Sequence, residues 1–258
     1  MAIPSADPRL LRTGQYVDSS NLDARSSIYA FRRPEFDLHG WVLSFVPEGG
    51  RVLDAGCGPG SYLERFARAG REQVIGMDLS AGMAIEAARH APTGSADITA
   101  LPFGDGVFDT TLAMHMLYHV DPPANGVAEL RRVTRPDGTM LAVTNGDRHL
   151  AGFDRIIRRA LGLESWARSV FRFSLENGEE QILPHFAHVE RVDVEGELVV
   201  PHLEPVMAYI DSIEDFLGPQ LDVSWSDAVD AMRPLVEAEI ADTGAFRSTV
   251  HSGIFICR

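Results

Sequence analysis

The sequence predicts a doubly wound α/β fold, in which helices cover both faces of a mainly parallel sheet. Two patterns carry that expectation. Between Arg51 and Asn145, short apolar or β-branched runs alternate with segments of helical periodicity, the order that buries a parallel sheet between two helical layers. The first of those runs opens into a turn with glycine at alternate positions, Gly56, Gly58 and Gly60, where the backbone can take conformations closed to other residues. With 258 residues and 45% hydrophobic content, the chain is long enough for one such domain with insertions and can bury a sizeable core.

Asn21 to Phe31 and Phe36 to Val46 carry apolar residues at helical spacing, and Pro47-Glu48-Gly49-Gly50 stops the second segment. Strands are predicted over Arg51 to Ala55, Gln73 to Asp78, Phe108 to Met114 and Thr139 to Thr144. Helices are predicted between them, over Ser61 to Ala69, Met83 to His90 and Gly126 to Thr134. Beyond Asn145 the alternation breaks. A helix is expected over Leu150 to Leu163 and an aromatic stretch over Trp166 to Phe173; a further helix over Leu175 to Leu183 has Ser174 as its cap and Pro184 past its end. Strands resume at Val189 to Val194 and Glu197 to Val200, and helices over Pro205 to Leu217 and Ser226 to Ile240 precede a last strand, Thr249 to Cys257. The chain thus reads as one domain, 1–258, with a helical segment (1–50), a core (51–146) and a tail of insertion helices and strands (147–258).

Charge narrows the classes of partner. Twenty-three basic and 37 acidic residues give a net charge of −14, and so acidic a surface repels a phosphate backbone unless its basic residues cluster. The nearest cluster, Arg155, Arg158, Arg159 and Arg168, has the spacing of a solvated helix face. No nucleic-acid partner is expected. No apolar run is long enough to span a bilayer, and the N-terminus lacks a basic segment followed by an apolar core, so neither a membrane partner nor export is expected. The two cysteines, Cys57 in the glycine turn and Cys257 near the end, suit free thiols in a reducing cytoplasm.

The chemistry concentrates in Val52-Leu53-Asp54-Ala55-Gly56-Cys57-Gly58-Pro59-Gly60, a buried strand opening into the glycine turn ahead of a helix. Such a turn lets backbone approach a ligand closely, and dinucleotide-binding folds use a related one. Here Asp54 stands before the first glycine, and the spacing is G-x-G-x-G instead of G-x-G-x-x-G. The next strand ends at Asp78, in Val74-Ile75-Gly76-Met77-Asp78-Leu79-Ser80. An acid there accepts hydrogen bonds from both ribose hydroxyls of either a nicotinamide or an adenosyl cofactor. A third acid separates the two: Asp97, in Gly94-Ser95-Ala96-Asp97-Ile98-Thr99-Ala100-Leu101-Pro102-Phe103, followed by Asp105-Gly106-Val107-Phe108-Asp109.

From Arg51 to Asn145 the chain resembles class I S-adenosylmethionine-dependent methyltransferases of the small-molecule branch, which includes natural-product and ubiquinone-type enzymes. The resemblance rests on an ordered series: the D-x-G-x-G-x-G turn, the acid ending the second strand, A-D-I-x-x-L-P-F, an F-D strand, and E-L-x-R-V-x-R-P-D-G before the fifth strand. It implies a Rossmann-like mixed seven-stranded sheet with an antiparallel last strand, a lid over 1–50, a cofactor-binding core over 51–146 and a substrate side over 147–258. It also implies S-adenosyl-L-methionine as cofactor and S-adenosylhomocysteine as product. Gly56, Gly58 and Gly60 would lie under the methionine part of the cofactor, Asp54 would help fix the turn, and Asp78 would hold the ribose. Asp97 would accept the adenine amine, with Ile98 beside it, while Leu79 and Met83 would pack on the ring or serve as ordinary core. Ala55, Met114 and His115 would complete the wall. Asn21-Leu22-Asp23-Ala24-Arg25 resembles the lid segment of many members, and Arg25 there would either pair with the cofactor's carboxylate or face water. Tyr16 and Tyr29 are further candidates for closing over the site, core packing being the simpler reading of Tyr29.

Methyl transfer is an in-line displacement at an activated carbon, so the protein must chiefly position the acceptor and exclude water. A hydroxyl or acidic-carbon acceptor also needs a base. His119, in Leu117-Tyr118-His119-Val120-Asp121-Pro122, is the first catalytic candidate, with loop structure as its other reading, and His115 is the second. The two histidines lack a third ligand, so no metal is expected. The acceptor is expected to be a hydrophobic metabolite, methylated on N, O or C and bound by Tyr16, Phe153, Trp166 and Phe173. A monomer and a homodimer remain equally open. Three rival readings stand beside this one. Asp54 and Asp97 disfavour a nicotinamide oxidoreductase, and net charge and the lack of an added basic domain disfavour a nucleic-acid methyltransferase, with a tRNA or protein methyltransferase kept as the lesser alternative. The third rival keeps the cofactor site without transferring methyl, as a cyclase, a decarboxylase or a regulator.

Overall fold

The computed structural model describes residues 7, 9, 11, 20–163 and 172–258. Its strands are β1 (Arg32–Arg33), β2 (Val52–Ala55), β3 (Val74–Asp78), β4 (Thr93–Ser95), β5 (Phe108–Met114), β6 (Thr134–Asn145), β7 (Val189–Val200) and β8 (Phe246–Cys257). They form an eight-stranded sheet in the order β1-β7-β8-β6-β5-β2-β3-β4. From β4 to β6 neighbouring strands pair in parallel, whereas β8 runs antiparallel to both β6 and β7. The mixed sheet and the antiparallel last strand agree with expectation; the count of seven does not.

The differences have local causes. β1 and β4 are two and three residues long, too short for a two-residue period to register. The two runs expected on either side of Gly196 form one strand, because that glycine is a vacancy for a side chain and not a turn. A Cβ at Gly196 would lie 3.0 Å from the Arg32 guanidinium, which donates to the Glu195 carbonyl at 2.9 Å and joins β1 to β7.

Alternation along the strands sorts the core into two faces. Leu53, Ala55, Ala113, Ala142 and Phe255 pack in one cluster, and Val52, Leu112, Leu141, Val143 and Ile254 in the other. On the second face lies α3 (Ser61–Arg68), which buries Tyr62, Leu63 and Phe66. Before it come α1 (Ser20–Ser27) and α2 (Leu38–Leu43), and after it α4 (Ala81–Ala87) and α5 (Pro123–Val133). A third cluster unites α6 (Ala151–Leu161), α8 (Leu203–Asp211) and α10 (Trp225–Thr243) with the far halves of β7 and β8, through Phe153, Ile156, Met207, Met232, Leu198 and Phe246. Between these helices lie the short α7 (Gly178–Ile182) and α9 (Glu214–Leu217).

α7 begins three residues later than Leu175, and Ser174 is not its cap. The Ser174 hydroxyl accepts the Glu176 N–H at 3.2 Å, while the Leu175 N–H donates to the Asn145 carbonyl at 3.2 Å, so 174–177 make a turn against the end of β6.

Candidate functional site

A cleft of about 970 Å³ follows the carboxyl ends of β2, β3, β5 and β6. It lies where the strand order departs in opposite directions from β2, the place where open α/β sheets bind ligands.

The glycine turn forms one wall. Gly56 and Gly58 both have left-handed backbones, φ +74° and +53°. The amides of Gly56 and Cys57 donate to the Met77 carbonyl at 2.7 and 3.0 Å, fastening the turn to β3. The Gly58 amide donates to Asp78 Oδ2 and the Ser80 amide to Asp78 Oδ1, each at 2.8 Å. The carboxylate that fixes the turn is therefore Asp78, not Asp54. Asp54 is 1% exposed, and neither of its oxygens has a hydrogen-bond partner among the described residues. Burial, and then the charge of Asp78, push its pKa up to about 7. A buried carboxyl without partners is costly, and this one lines the cleft.

Asp97 also lines the cleft, together with Ile98, Leu79, Met83, Ala55 and Met114. The Thr99 amide and hydroxyl both donate to Asp97 Oδ1, at 2.9 and 2.8 Å, which leaves Oδ2 for another donor. Met83 is at once core and cleft wall. His115 follows β5 with φ +54°, a conformation that costs a non-glycine residue about 1 kcal/mol or more. Its amide donates to the Val143 carbonyl at 2.9 Å, and burial pushes its imidazole down to about 4, so the ring is neutral near pH 7. His119 ends the 3₁₀ turn Leu117–His119, lines the cleft, and stacks edgewise on Tyr118 with ring centres 4.5 Å apart.

At the other end the lid meets the insertion helices. Arg25 lines the cleft and donates to the Ser212 carbonyl at 3.3 Å, so part of its donor set fastens α1 to the segment after α8. Phe153 lines the cleft, its ring centre 4.2 Å from that of Tyr209. Phe173 does not line it. Its ring is fully buried 5.9 Å from Phe255, and its carbonyl accepts the Thr144 hydroxyl at 3.0 Å, so the residue packs on the sheet against β6 and β8. Gly60 is also off the cleft; a Cβ there would lie 3.0 Å from Ala87, so its role is the close approach of α3 to α4. Tyr29 proves to be a cleft residue and not core: it is 37% exposed, with its hydroxyl 2.8 Å from His149 Nε2. Tyr16 and Trp166 lie outside the described residues.

Sequence reasoning missed Asn145, His149 and Tyr209, all of which line the cleft. Asn145 was within its reach, since it ends a strand as Asp54 and Asp78 nearly do. His149 and Tyr209 carry no such signal, being brought to the cleft only by the packing of the insertion. Among the described residues, no group of three or more His, Cys, Asp or Glu could hold a metal ion, and no helix is long and apolar enough to cross a membrane.

The model of a methyltransferase domain family matches residues 53–142, from β2 to β6, the stretch that carries the glycine turn and all three acids. Residues 53–142 are a methyltransferase domain. The chain is 38% identical across 103 residues to a demethylmenaquinone methyltransferase of Renibacterium salmoninarum, covering 39% of this chain and 43% of that one. It is 39% identical across 100 residues to a malonyl-[acyl-carrier protein] O-methyltransferase of Erwinia billingiae, covering 38% and 39%. The chain therefore spans less than half the length of these relatives. A crystal structure described as a putative methyltransferase from an antibiotic biosynthesis pathway of Anabaena variabilis shares the fold, with a TM-score of 0.65 and 16% identity over 86% of this chain and 96% of that one. The likeness to these two relatives spans less than two fifths of the chain, while the fold likeness covers 86% of it.

Proposed function

We propose that this methyltransferase domain binds S-adenosylmethionine along the glycine turn and transfers its methyl group to an apolar small molecule held between lid and insertion. The observation that carries the reading is the composition of the one continuous cleft. Asp54, Asp78 and Asp97 line one part of it, and Leu150, Phe153, Ile157 and Val250 another. Its volume of about 970 Å³ is at the top of the ~300–1,000 Å³ range of small-molecule sites, room for cofactor and acceptor together.

The residues present fit the cofactor. The partnerless Asp54 carboxyl suits an ammonium group, Asp97 Oδ2 suits an exocyclic amine, and Asp78 keeps lone pairs for ribose hydroxyls beyond the two amides it already accepts. When bound, S-adenosylmethionine supplies a methyl group already activated by its sulfonium. The chain's own part is to align the acceptor for in-line displacement, exclude water with the lid, and take a proton where the acceptor must lose one. His119 is the group we assign to that proton. His115, with its pKa near 4, is a weak base and serves as wall. The relatives named for demethylmenaquinone and malonyl-[acyl-carrier protein] support small acceptors, the charge of −14 supports a cationic cofactor over a nucleic-acid substrate, and the buried free thiols Cys57 and Cys257 support a cytoplasmic setting.

Calorimetric titration with S-adenosylmethionine tests the cofactor assignment. Wild type should bind, and Asp78→Ala should bind at least about tenfold more weakly, since a charge-assisted hydrogen bond contributes roughly 1.5–3 kcal/mol. Unchanged affinity in the variant defeats the assignment. With demethylmenaquinone as the first acceptor tried, followed by a set of phenols and amines, S-adenosylhomocysteine should accumulate. Binding without accumulation across the set would favour a cofactor-binding protein that transfers no methyl.

A further inference from the structure

The insertion end of the cleft holds a polar relay that methyl transfer as described does not use. Tyr29 Oη lies 2.8 Å from His149 Nε2, and the two rings lie nearly parallel at 24°. On its other nitrogen, His149 Nδ1 accepts the backbone N–H of His251 at 3.2 Å. A backbone amide can only donate, so Nδ1 carries no hydrogen and the neutral ring bears its proton on Nε2. Nε2–H therefore donates to Tyr29 Oη, and the phenol's own hydrogen is left to serve a further acceptor. Burial raises the Tyr29 pKa well above its ordinary value, which keeps that hydrogen in place across the working range.

The relay is held from β8. The Gly146 N–H donates to the His251 carbonyl at 3.0 Å and the Leu150 N–H to the Thr249 carbonyl at 2.7 Å, so the 146–150 loop that carries His149 is laced to that strand. One residue along, the Ser252 hydroxyl donates to Asn145 Oδ1 at 2.8 Å, which occupies the amide's oxygen and leaves its N–H donors. Tyr29 and Asn145 thus share a character: each has its oxygen engaged by the protein and hydrogens remaining, and each lines the cleft beside apolar Leu150, Phe153 and Val250.

We infer that Tyr29, aligned by His149, donates to an oxygen that can only accept, a carbonyl or deprotonated hydroxyl, on an otherwise apolar acceptor molecule. The inference rests on the methyl-transfer reading and narrows its acceptor class. A molecule with an ammonium in that position would set hydrogen against hydrogen, and one with no polar atom would leave the phenol unpaired. His149 is a positioning residue here. Protonating it would place an Nδ1–H against the His251 N–H, so the fold opposes its use as a base.

Three rigid probes of one shape test this: 1-tetralone, 1-aminotetralin and tetralin, titrated calorimetrically into the protein with and without S-adenosylhomocysteine. The ketone should bind wild type about tenfold more tightly than the hydrocarbon, the worth of one buried hydrogen bond, and the amine, an ammonium at neutral pH, no more tightly than the hydrocarbon. Tyr29→Phe should abolish the ketone's advantage over tetralin. His149→Gln, which offers a donor to Tyr29 and an acceptor to His251, should retain the advantage, and His149→Leu should lose most of it. Equal binding of ketone and hydrocarbon by wild type, a ketone preference that survives in Tyr29→Phe, or failure of all three probes to bind overturns the assignment. Loss of the preference in His149→Gln overturns the positioning role. Failure of wild type to bind S-adenosylhomocysteine would instead defeat the methyl-transfer reading, so the two failures are distinct.

Discussion

Asp54 is a buried acid without a hydrogen bond among the described residues, and the consequence is measurable in pH. Its folded pKa of about 7 stands above the ordinary carboxyl value near 4, so the folded state holds the proton more tightly than the unfolded chain. The stability this confers is fully present below about pH 4 and is lost as pH rises through about 7. Urea unfolding of the ligand-free protein should show a falling midpoint over that window, and Asp54→Asn should flatten the fall; parallel profiles for the two proteins would show that Asp54 does not titrate there. Pairing with an ammonium requires the ionised form, so cofactor affinity in wild type should climb toward pH 7 and level off above it. For His119, replacement with Gln should lower turnover about 10²–10⁴-fold with cofactor affinity unchanged. Normal turnover of that variant from pH 6 to 9 would leave positioning as the protein's contribution. The three acids were legible in the sequence because each sits beside a strand end within a spaced motif. That Asp78 and not Asp54 fastens the glycine turn was not, because it depends on how closely the turn approaches β3.

Elements were legible where a run is long enough to show a period. β2, β3, β5 and β8 lie close to their expected places, and α6 and α10 nearly match theirs. The two-residue β1, the three-residue β4 and the continuity of β7 through Gly196 are tertiary facts, the last set by the Arg32 side chain that occupies the glycine's space. Phe173 shows the same limit for side chains: an aromatic near an insertion reads alike whether it faces a ligand or the sheet. Its burial against Phe255 predicts that Phe173→Ala costs about 3–5 kcal/mol of unfolding free energy, while the protein that remains folded binds cofactor and acceptor as wild type does. Chemical denaturation together with calorimetry at low temperature separates the two effects. A variant of normal stability but weakened acceptor binding would return Phe173 to the cleft.

For the molecule as a whole, the sheet runs unbroken from β4 to β1 and the cleft touches lid, core and insertion, so the three parts should melt together. A single thermal transition is expected, and S-adenosylhomocysteine at about a hundred times its Kd should stabilise the folded state by about 2.7 kcal/mol and raise the transition accordingly. Two resolved transitions, with only one of them raised, would show that the insertion folds apart from the core. The lid's fastenings carry one more implication. Arg25 to Ser212, Tyr29 to His149 and β1 to β7 all tie it to the insertion side, while Asp37 and Arg65 tie its second half to α3. Residues 25–33 are thus moored to the insertion side and residue 37 to the core side, so this stretch of the lid bridges two walls of the cleft. Under the acceptor assignment proposed above, the contact that aims the Tyr29 hydroxyl is also one of the rivets of that bridge, so a single hydrogen bond would serve both selection and architecture.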